Sequence, residues 1–359
     1  MNYNDKRRRT KPVTLRGITV GGNAPVSVQS MTNTDTRDIE ATFRQVSELV
    51  AHGCDIVRLA IPDSDSVRTL TELRSRGIEA PLVADIHYDY KLAVASAEAG
   101  ADKIRINPGN IGSRDKIREV VSACSYHGIP IRIGVNSGSL EKHLLQKYGA
   151  PTPAALAESA LYNASLLEEL NFSDILISVK ASDTYSMIEA NRMVAAACDY
   201  PLHIGVTEAG ARGRAVVKSS VGLGALLSEG IGDTVRVSLT DDPLREVELA
   251  YDVLSSLGIT DRGGMDIVSC PTCGRTRIDL ISLCQRFESE ARLAGIDKMK
   301  IKVALMGCAV NGPGEAADAD IGIAGGAGEA LLFKNGKIVR KLNEADIISE
   351  LIEEIKQMK

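Results

Sequence analysis

From Val26 onward the chain settles into a rhythm. Short runs rich in β-branched residues alternate with longer stretches whose apolar positions recur at helical spacing. The runs fall at Val26–Ser30, Asp55–Leu59, Leu82–Asp85, Lys103–Ile106, Ile129–Ile133, Asp174–Val179, Leu202–Val206 and Thr234–Ser238. Between them, Ile39–Ala51 sets Ile39, Phe43, Val46, Leu49 and Val50 on one helical stripe. Gly53, Gly77, Gly100 and Gly128 mark helix ends. Eight strand–helix units predict an α/β fold, a (β/α)8 TIM-type barrel. An open doubly wound sheet is the alternative, but no strand leads into a Gly-x-Gly-x-x-Gly turn. Ahead of the rhythm, Val13–Val20 reads as a strand that pairs with Val26–Ser30 around Gly21-Gly22-Asn23.

The pattern breaks after Leu257. Gly258-Ile-Thr-Asp-Arg-Gly263-Gly264 reads as a linker, which sets a barrel domain at 1–258 and a second domain at 259–359. Strands are expected there at Asp266–Ser269, Lys300–Leu305, Ile321–Ala324, Ala330–Lys334 and Lys337–Arg340. With helices near Ile278–Leu293 and Glu344–Met358, this is a small α+β domain large enough to fold alone.

Parallel strands covered on both faces usually read as continuous apolar runs. Several of these do not. Isoleucines alternate with Lys103, Arg105 and Asn107 in one strand, and with Arg132, Gly134 and Asn136 in the next. Lys180, Arg236 and Ser238 continue the pattern, and Arg58 ends the second strand in the same way. A period of two turns the aliphatics outward and the polar residues into the barrel. Five inward cations, Arg58, Arg105, Arg132, Lys180 and Arg236, would repel one another unless an anion sat among them. Diphosphate or several phosphates meet that demand. The loops after Asn107 and Asn136 add backbone N–H groups suited to phosphate. Asp85 and Glu208, in Gly205-Val-Thr207-Glu208, stand at the same end as candidate acids or bases. Asp85 is equally a candidate to hold an arginine in place, and His87 and His203 are weaker proton carriers.

A second constellation lies late in the chain. Cys270-Pro-Thr-Cys273 is answered by Gly307-Cys308 in a glycine- and proline-rich loop. A lone Cys-x-x-Cys is shared by redox pairs and zinc knuckles, but a third cysteine in another tight loop points to a metal or cluster. Cys284 lies among Ile278, Ile281, Leu283, Phe287 and Ala291, where it reads as a small apolar residue on a helix face. Glu315, in the same loop as Cys308, could supply an oxygen ligand.

Composition narrows the classes. With 44% hydrophobic and 25% charged residues the chain is of ordinary globular type. A net charge of −5 gives no global basic field for nucleic acid, and the Lys6-Arg-Arg-Arg9 run reads as a solvated tail. No apolar stretch is long enough to span a membrane, and no signal-peptide core is seen at the N-terminus. Seven cysteines without a disulfide-like framework suit a reducing cytoplasm.

The motifs Val28-Gln-Ser-Met-Thr-Asn-Thr-Asp-Thr36, Ile104-Arg-Ile-Asn-Pro-Gly-Asn-Ile-Gly112, Gly205-Val-Thr-Glu-Ala-Gly210, Ser269-Cys-Pro-Thr-Cys-Gly-Arg275 and Gly307-Cys-Ala-Val-Asn-Gly-Pro-Gly-Glu315 resemble the 4-hydroxy-3-methylbut-2-enyl diphosphate synthase family, in its two-domain bacterial form. The resemblance runs over essentially the whole chain. It implies a [4Fe–4S] cluster on Cys270, Cys273, Cys308 and Glu315. It also implies reductive opening and dehydration of the cyclic diphosphate of methylerythritol in the methylerythritol phosphate route to isoprenoids. Flavodoxin or ferredoxin would supply the electrons. A head-to-tail homodimer, each cluster domain capping the other subunit's barrel, is implied as well. It also answers a difficulty of chain path, because the last barrel helix should return the chain to the end opposite the mouth. Two rival readings stand beside this one. One is a barrel enzyme on a phosphorylated or pterin-like substrate with structural zinc; the other is an iron–sulfur sensor or electron carrier.

Overall fold

The computed structural model of the chain describes residues 3–309 and 316–358. It divides into two compact units between Thr260 and Asp261. The first opens with a hairpin, β1 (Val13–Leu15) and β2 (Ile18–Val20), paired antiparallel. Its two-residue turn is Arg16-Gly17, with φ of 39° and 80°. Two left-handed residues in succession match the twist of a tight hairpin. This corrects the expected turn at Gly21-Gly22-Asn23: the pairing is internal to Val13–Val20, and the following strand belongs to the barrel.

Eight parallel strands then follow in order: β3 (Ser27–Met31), β4 (Ile56–Ala60), β5 (Leu82–Asp85), β6 (Lys103–Ile106), β7 (Ile131–Asn136), β8 (Ile175–Lys180), β9 (His203–Ile204) and β10 (Thr234–Val235). From β3 to β8 each pairs with its sequence neighbour, β9 pairs with β10, and β10 returns to pair with β3. Closure between β8 and β9 rests on the bridge of Ile177 to Leu202 and the Ile177 N–H bond to the Pro201 carbonyl, at 3.0 Å. The fold is thus a nearly closed TIM-type barrel.

The alternation read from sequence sorts the two faces. Val57, Leu59, Ile104, Ile106, Ile133, Val135, Ile177 and Val179 join the apolar layer beneath the helices. Helices begin where a side chain can take the first orphan N–H groups. Asp38 caps Ile39–Ala51, Asp63 caps Ser64–Ser75 and Asp183 caps Thr184–Ala197. At the strands' N-terminal end, Val13, Leu15 and Val20 of the hairpin pack with Ile56, Val83 and Leu176 as an apolar plug. Polar residues above the plug therefore open only toward the other end.

The N-terminal basic run is not a free tail, which corrects that expectation. Arg7 pairs with Asp233 at 3.2 Å and also reaches the Ala24 carbonyl. Arg8 donates to the carbonyls of Ala195 and Cys198, at 3.2 and 2.6 Å, and to that of Tyr200. A guanidinium with several donors can satisfy the carbonyls left over at a helix end. Arg9 alone of the three is exposed.

The second unit is a five-stranded mixed sheet in sequence order: β11 (Asp266–Ser269), β12 (Lys302–Met306), β13 (Ile321–Gly325), β14 (Glu329–Lys334) and β15 (Lys337–Asn343). The first three run parallel, the rest antiparallel. Helices Leu280–Leu293 and Ile347–Lys356 cover one face through Leu283, Phe287, Leu351 and Ile355. Among the described residues no helix is long and apolar enough to cross a membrane.

Candidate functional site

At the C-terminal ends of the barrel strands lies a cavity of 90 Å³ with almost wholly polar walls. Arg58, Arg105, Arg132, Lys180 and Arg236 all line it, as do Asp85, Asn136 and Thr207. All five expected cations thus come together. His87, a weaker candidate from sequence, and Ser178, of the same inward parity as Lys180, line the cavity too. Both were visible as polar positions of the right parity at strand ends.

The cations are held by few counter-charges. Asp85 accepts from Arg105 Nη1 at 3.0 Å and lies 3.7 Å from Arg58 Nε. Burial alone would raise its pKa, but Arg58, Arg105 and Arg132 together outweigh that and hold it at about 2. Glu246, buried on helix Pro243–Ser256, takes Arg236 Nη2 at 3.3 Å, the Leu239 N–H at 3.2 Å and the Ser30 hydroxyl at 2.8 Å. The remaining cations lack such partners. Arg132 Nε and Nη2 and Lys180 Nζ are buried with no hydrogen-bond partner among the described residues. Burial, and then neighbouring cations, drive the pKa values of Arg132 and Lys180 well below the ordinary range. Arg58 falls to about 10, chiefly through burial. Below them Lys103 and His203, fully buried, are pushed down in the same way.

Two glycines make the crowding possible. A Cβ on Gly134 would stand 2.2 Å from Arg105 Nε, and one on Gly205 would stand 2.2 Å from the Arg236 carbonyl. Arg105 crosses the bare backbone of β7 to donate to the Gly134 carbonyl at 3.2 Å. With its amide turned to suit its neighbours, Asn136 accepts from Arg105 Nη2 at 3.2 Å.

The other expected residues stand apart. Asn107 caps the turn Pro108–Ile111, accepting from the Gly109 N–H at 3.1 Å and donating to the carbonyl and hydroxyl of Ser139 at 3.2 and 3.1 Å. Its amide braces two loops beside the mouth and does not line the cavity. Ser238 is half-buried beyond the end of β10, also outside the lining. Glu208 follows Thr207 directly and is exposed, in the left-handed conformation at φ 51°. That conformation is costly for a side chain of its type, and such residues gather at functional loops.

In the second unit, Cys270 follows β11 and Cys308 lies two residues after β12. These strands are adjacent and parallel, with Ser269 opposite Leu305, so both thiols emerge at one end of the sheet. The Gly307 N–H donates to Cys270 Sγ at 3.2 Å, and the Arg277 N–H to the Gly307 carbonyl at 2.9 Å. Gly307 must be bare, since a Cβ there would lie 2.8 Å from Thr276 Cγ2. Cys273 is exposed on the intervening turn. Cys284 is half-buried against the helix-covered core, as its apolar neighbours suggested. Among the described residues no three His, Cys, Asp or Glu side chains gather as a cage for a single ion. Glu315 lies outside the described residues.

Comparison with known proteins places this geometry. The GcpE TIM-barrel domain family matches residues 10–251, and the GcpE protein C-terminal domain family matches residues 266–357. The 4-hydroxy-3-methylbut-2-en-1-yl diphosphate synthase (flavodoxin) of Clostridium perfringens is 55% identical over 346 residues, spanning 96% of this chain and 98% of that protein. The synthase of the same name from Ruminiclostridium cellulolyticum is 53% identical over 353 residues, spanning 98% and 99%. Among solved structures, a type I 3-dehydroquinate dehydratase from Clostridium difficile has a TM-score of 0.50 at 15% identity, covering 68% of this chain and 99% of that one. That likeness concerns the barrel fold alone. With the two domain families matched over residues 10–251 and 266–357, the chain belongs to the GcpE family.

Proposed function

We propose that the chain reductively opens 2-C-methyl-D-erythritol 2,4-cyclodiphosphate to 4-hydroxy-3-methylbut-2-enyl diphosphate, the product in its relatives' names. The observation that carries this reading is the excess of buried, unpartnered cations around the 90 Å³ cavity. Asp85 and Glu246 offset only part of that charge. A diphosphate supplies the rest, and arginine forks suit its paired oxygens.

The cysteine loops fit a [4Fe–4S] cluster. Three thiols sit on two loops tied by an N–H bond to sulfur, and bare Gly307 lets the two loops pack closely around Thr276. A cluster takes one protein ligand per iron, so spread donors suit it better than a single-ion cage. Cys270, Cys273, Cys308 and Glu315 would hold it. When bound it supplies electrons one at a time, delivered by flavodoxin or ferredoxin, which side chains cannot do.

The chain's own residues do the rest. Arg58, Arg105, Arg132, Lys180 and Arg236 hold the diphosphate and stabilise the charge it gains when the ring C–O bond breaks. Asp85, kept ionised by its arginines, accepts from a substrate hydroxyl and fixes the ring's orientation. Glu208 gives its carboxyl proton to the departing hydroxyl oxygen, which leaves as water. Two electrons and that proton balance the conversion. Thr207 and Asn136 line the same cavity and orient the substrate's oxygens.

Anaerobic purification followed by iron and sulfide analysis tests the cluster, and product formation with reduced flavodoxin tests the reaction. Cys270→Ser, Cys273→Ser and Cys308→Ser should each lose iron, while Cys284→Ser should keep it. A colourless protein carrying zinc would favour a structural zinc site instead. Bleaching by Cys284→Ser, with Glu315→Gln unperturbed, would reassign the fourth ligand. We also propose a head-to-tail homodimer, for which the path of the chain argues below.

A further inference from the structure

Beside the cationic cavity the same barrel end carries a second one, of different character. Its volume is 290 Å³, and its walls are Ala60 at the end of β4, Ile61 and Pro62 just after it, and Tyr88, Asp89 and Leu92 after β5. Asp85 and His87 line both cavities, so the two adjoin across these side chains. Of the two carboxylates in its walls, Asp85 is held by Arg105 and Arg58, and Asp89 accepts from the Lys91 N–H as the cap of helix Tyr90–Glu98. Tyr88 leaves 72% of its surface in solvent, an exposed ring at the edge of an apolar wall. Nothing in the proposed reaction uses this cleft: the cyclic substrate is compact and rich in oxygen.

A ligand that suits both cavities needs a diphosphate at one end and a branched hydrocarbon at the other. We infer that the two cavities form a composite site for prenyl diphosphates longer than the five-carbon product. The diphosphate sits among Arg58, Arg105, Arg132, Lys180 and Arg236, and the chain lies between the loops after β4 and β5 under Tyr88. The inference rests on the diphosphate reading of the cationic cavity. Occupancy would exclude the substrate, so enzymes that condense five-carbon diphosphates would make competitive inhibitors of this step.

Calorimetric titration of the cluster-loaded full chain tests this with three probes: methyl diphosphate, geranyl diphosphate and geraniol. Methyl and geranyl diphosphate carry the same charge and differ in the apolar tail. Geranyl diphosphate should bind on the order of ten-fold tighter than methyl diphosphate, by burial of its tail. Geraniol should show no comparable binding. Tyr88→Ser and Leu92→Asn should each remove most of the ten-fold gap and leave methyl diphosphate affinity unchanged. Tyr88 is exposed, so its replacement reads the cleft even if Leu92→Asn disturbs folding. In steady state, geranyl diphosphate should raise the substrate KM without lowering kcat. Equal affinity for the two diphosphates would overturn the composite site and spare the anion site, as would a gap that persists in both variants. Failure of both diphosphates to bind would overturn the anion site itself.

Discussion

Lys103 has no exposed surface and, among the described residues, no hydrogen-bond partner for its ammonium nitrogen. Burial first, then Arg132 and Arg58, push its pKa well below 10.5. A base whose folded pKa is depressed binds fewer protons folded than unfolded. Its destabilisation is therefore full at pH below the folded value and vanishes as pH rises through 10.5. Lys103→Met should accordingly stabilise the anion-free protein at neutral pH, by about 1–4 kcal/mol. The gain should shrink as pH is raised toward 10.5, which urea unfolding at stepped pH would follow. A loss of stability at neutral pH would mean that Lys103 has a partner in solution. At this scale the sequence showed which residues face inward, because parity alone decides it in a strand. It did not show who meets whom: Asn107 has the right parity, yet its amide is taken up by Gly109 and Ser139. Glu246 escaped notice because it sits on a helix, where nothing marks a buried carboxylate as the partner of Arg236.

Strand β7 shows how an element serves its neighbour. Its inner face reads Arg132, Gly134, Asn136, and the gap at Gly134 is where Arg105 of β6 passes. Gly134→Ala would put a methyl 2.2 Å from Arg105 Nε, so the guanidinium must leave its place against Asp85. Losing one desolvated charge-assisted contact should weaken methyl diphosphate binding by about 2 kcal/mol or more. Far-ultraviolet circular dichroism should stay unchanged. Undiminished affinity would show that Arg105 reaches the ligand from elsewhere. Elements were legible where periodicity was long: Ile39–Ala51 stands where the sequence placed it. The last two barrel strands are shorter than expected, His203–Ile204 and Thr234–Val235. Past them the pairing continues in the Arg236 N–H bond to the Ile204 carbonyl, at 3.1 Å, without a regular ladder. The N-terminal arginines misled because charge alone suggests solvent, whereas their partners are Asp233 and backbone carbonyls that no sequence pattern displays.

At the scale of the whole molecule, the path of the chain bears on how many chains build one site. The cationic cavity lies at the C-terminal ends of the barrel strands, and helix Pro243–Ser256 then runs back along the outside. Its 14 residues cover about 21 Å, so the chain leaves the first unit near the end opposite the mouth. From Thr260 to Cys270 a fully extended chain reaches about 35 Å. Bringing the cysteine loops to the chain's own mouth would use most of that length, which is the ground for proposing that a second copy supplies them. The proposed head-to-tail homodimer makes a specific prediction. Glu208→Gln disables the barrel half of a site, and Cys270→Ser disables the cysteine half. Each homodimer should be inactive, yet a dimer of one chain of each kind has one site drawn from two intact halves. Differently tagged, co-purified mixed dimers should therefore recover about half the wild-type activity per dimer, with Arg132→Ala in place of Glu208→Gln as a second pairing. If verified mixed dimers of both pairings stay inactive while wild-type dimers turn over, each chain completes its site with its own cysteines.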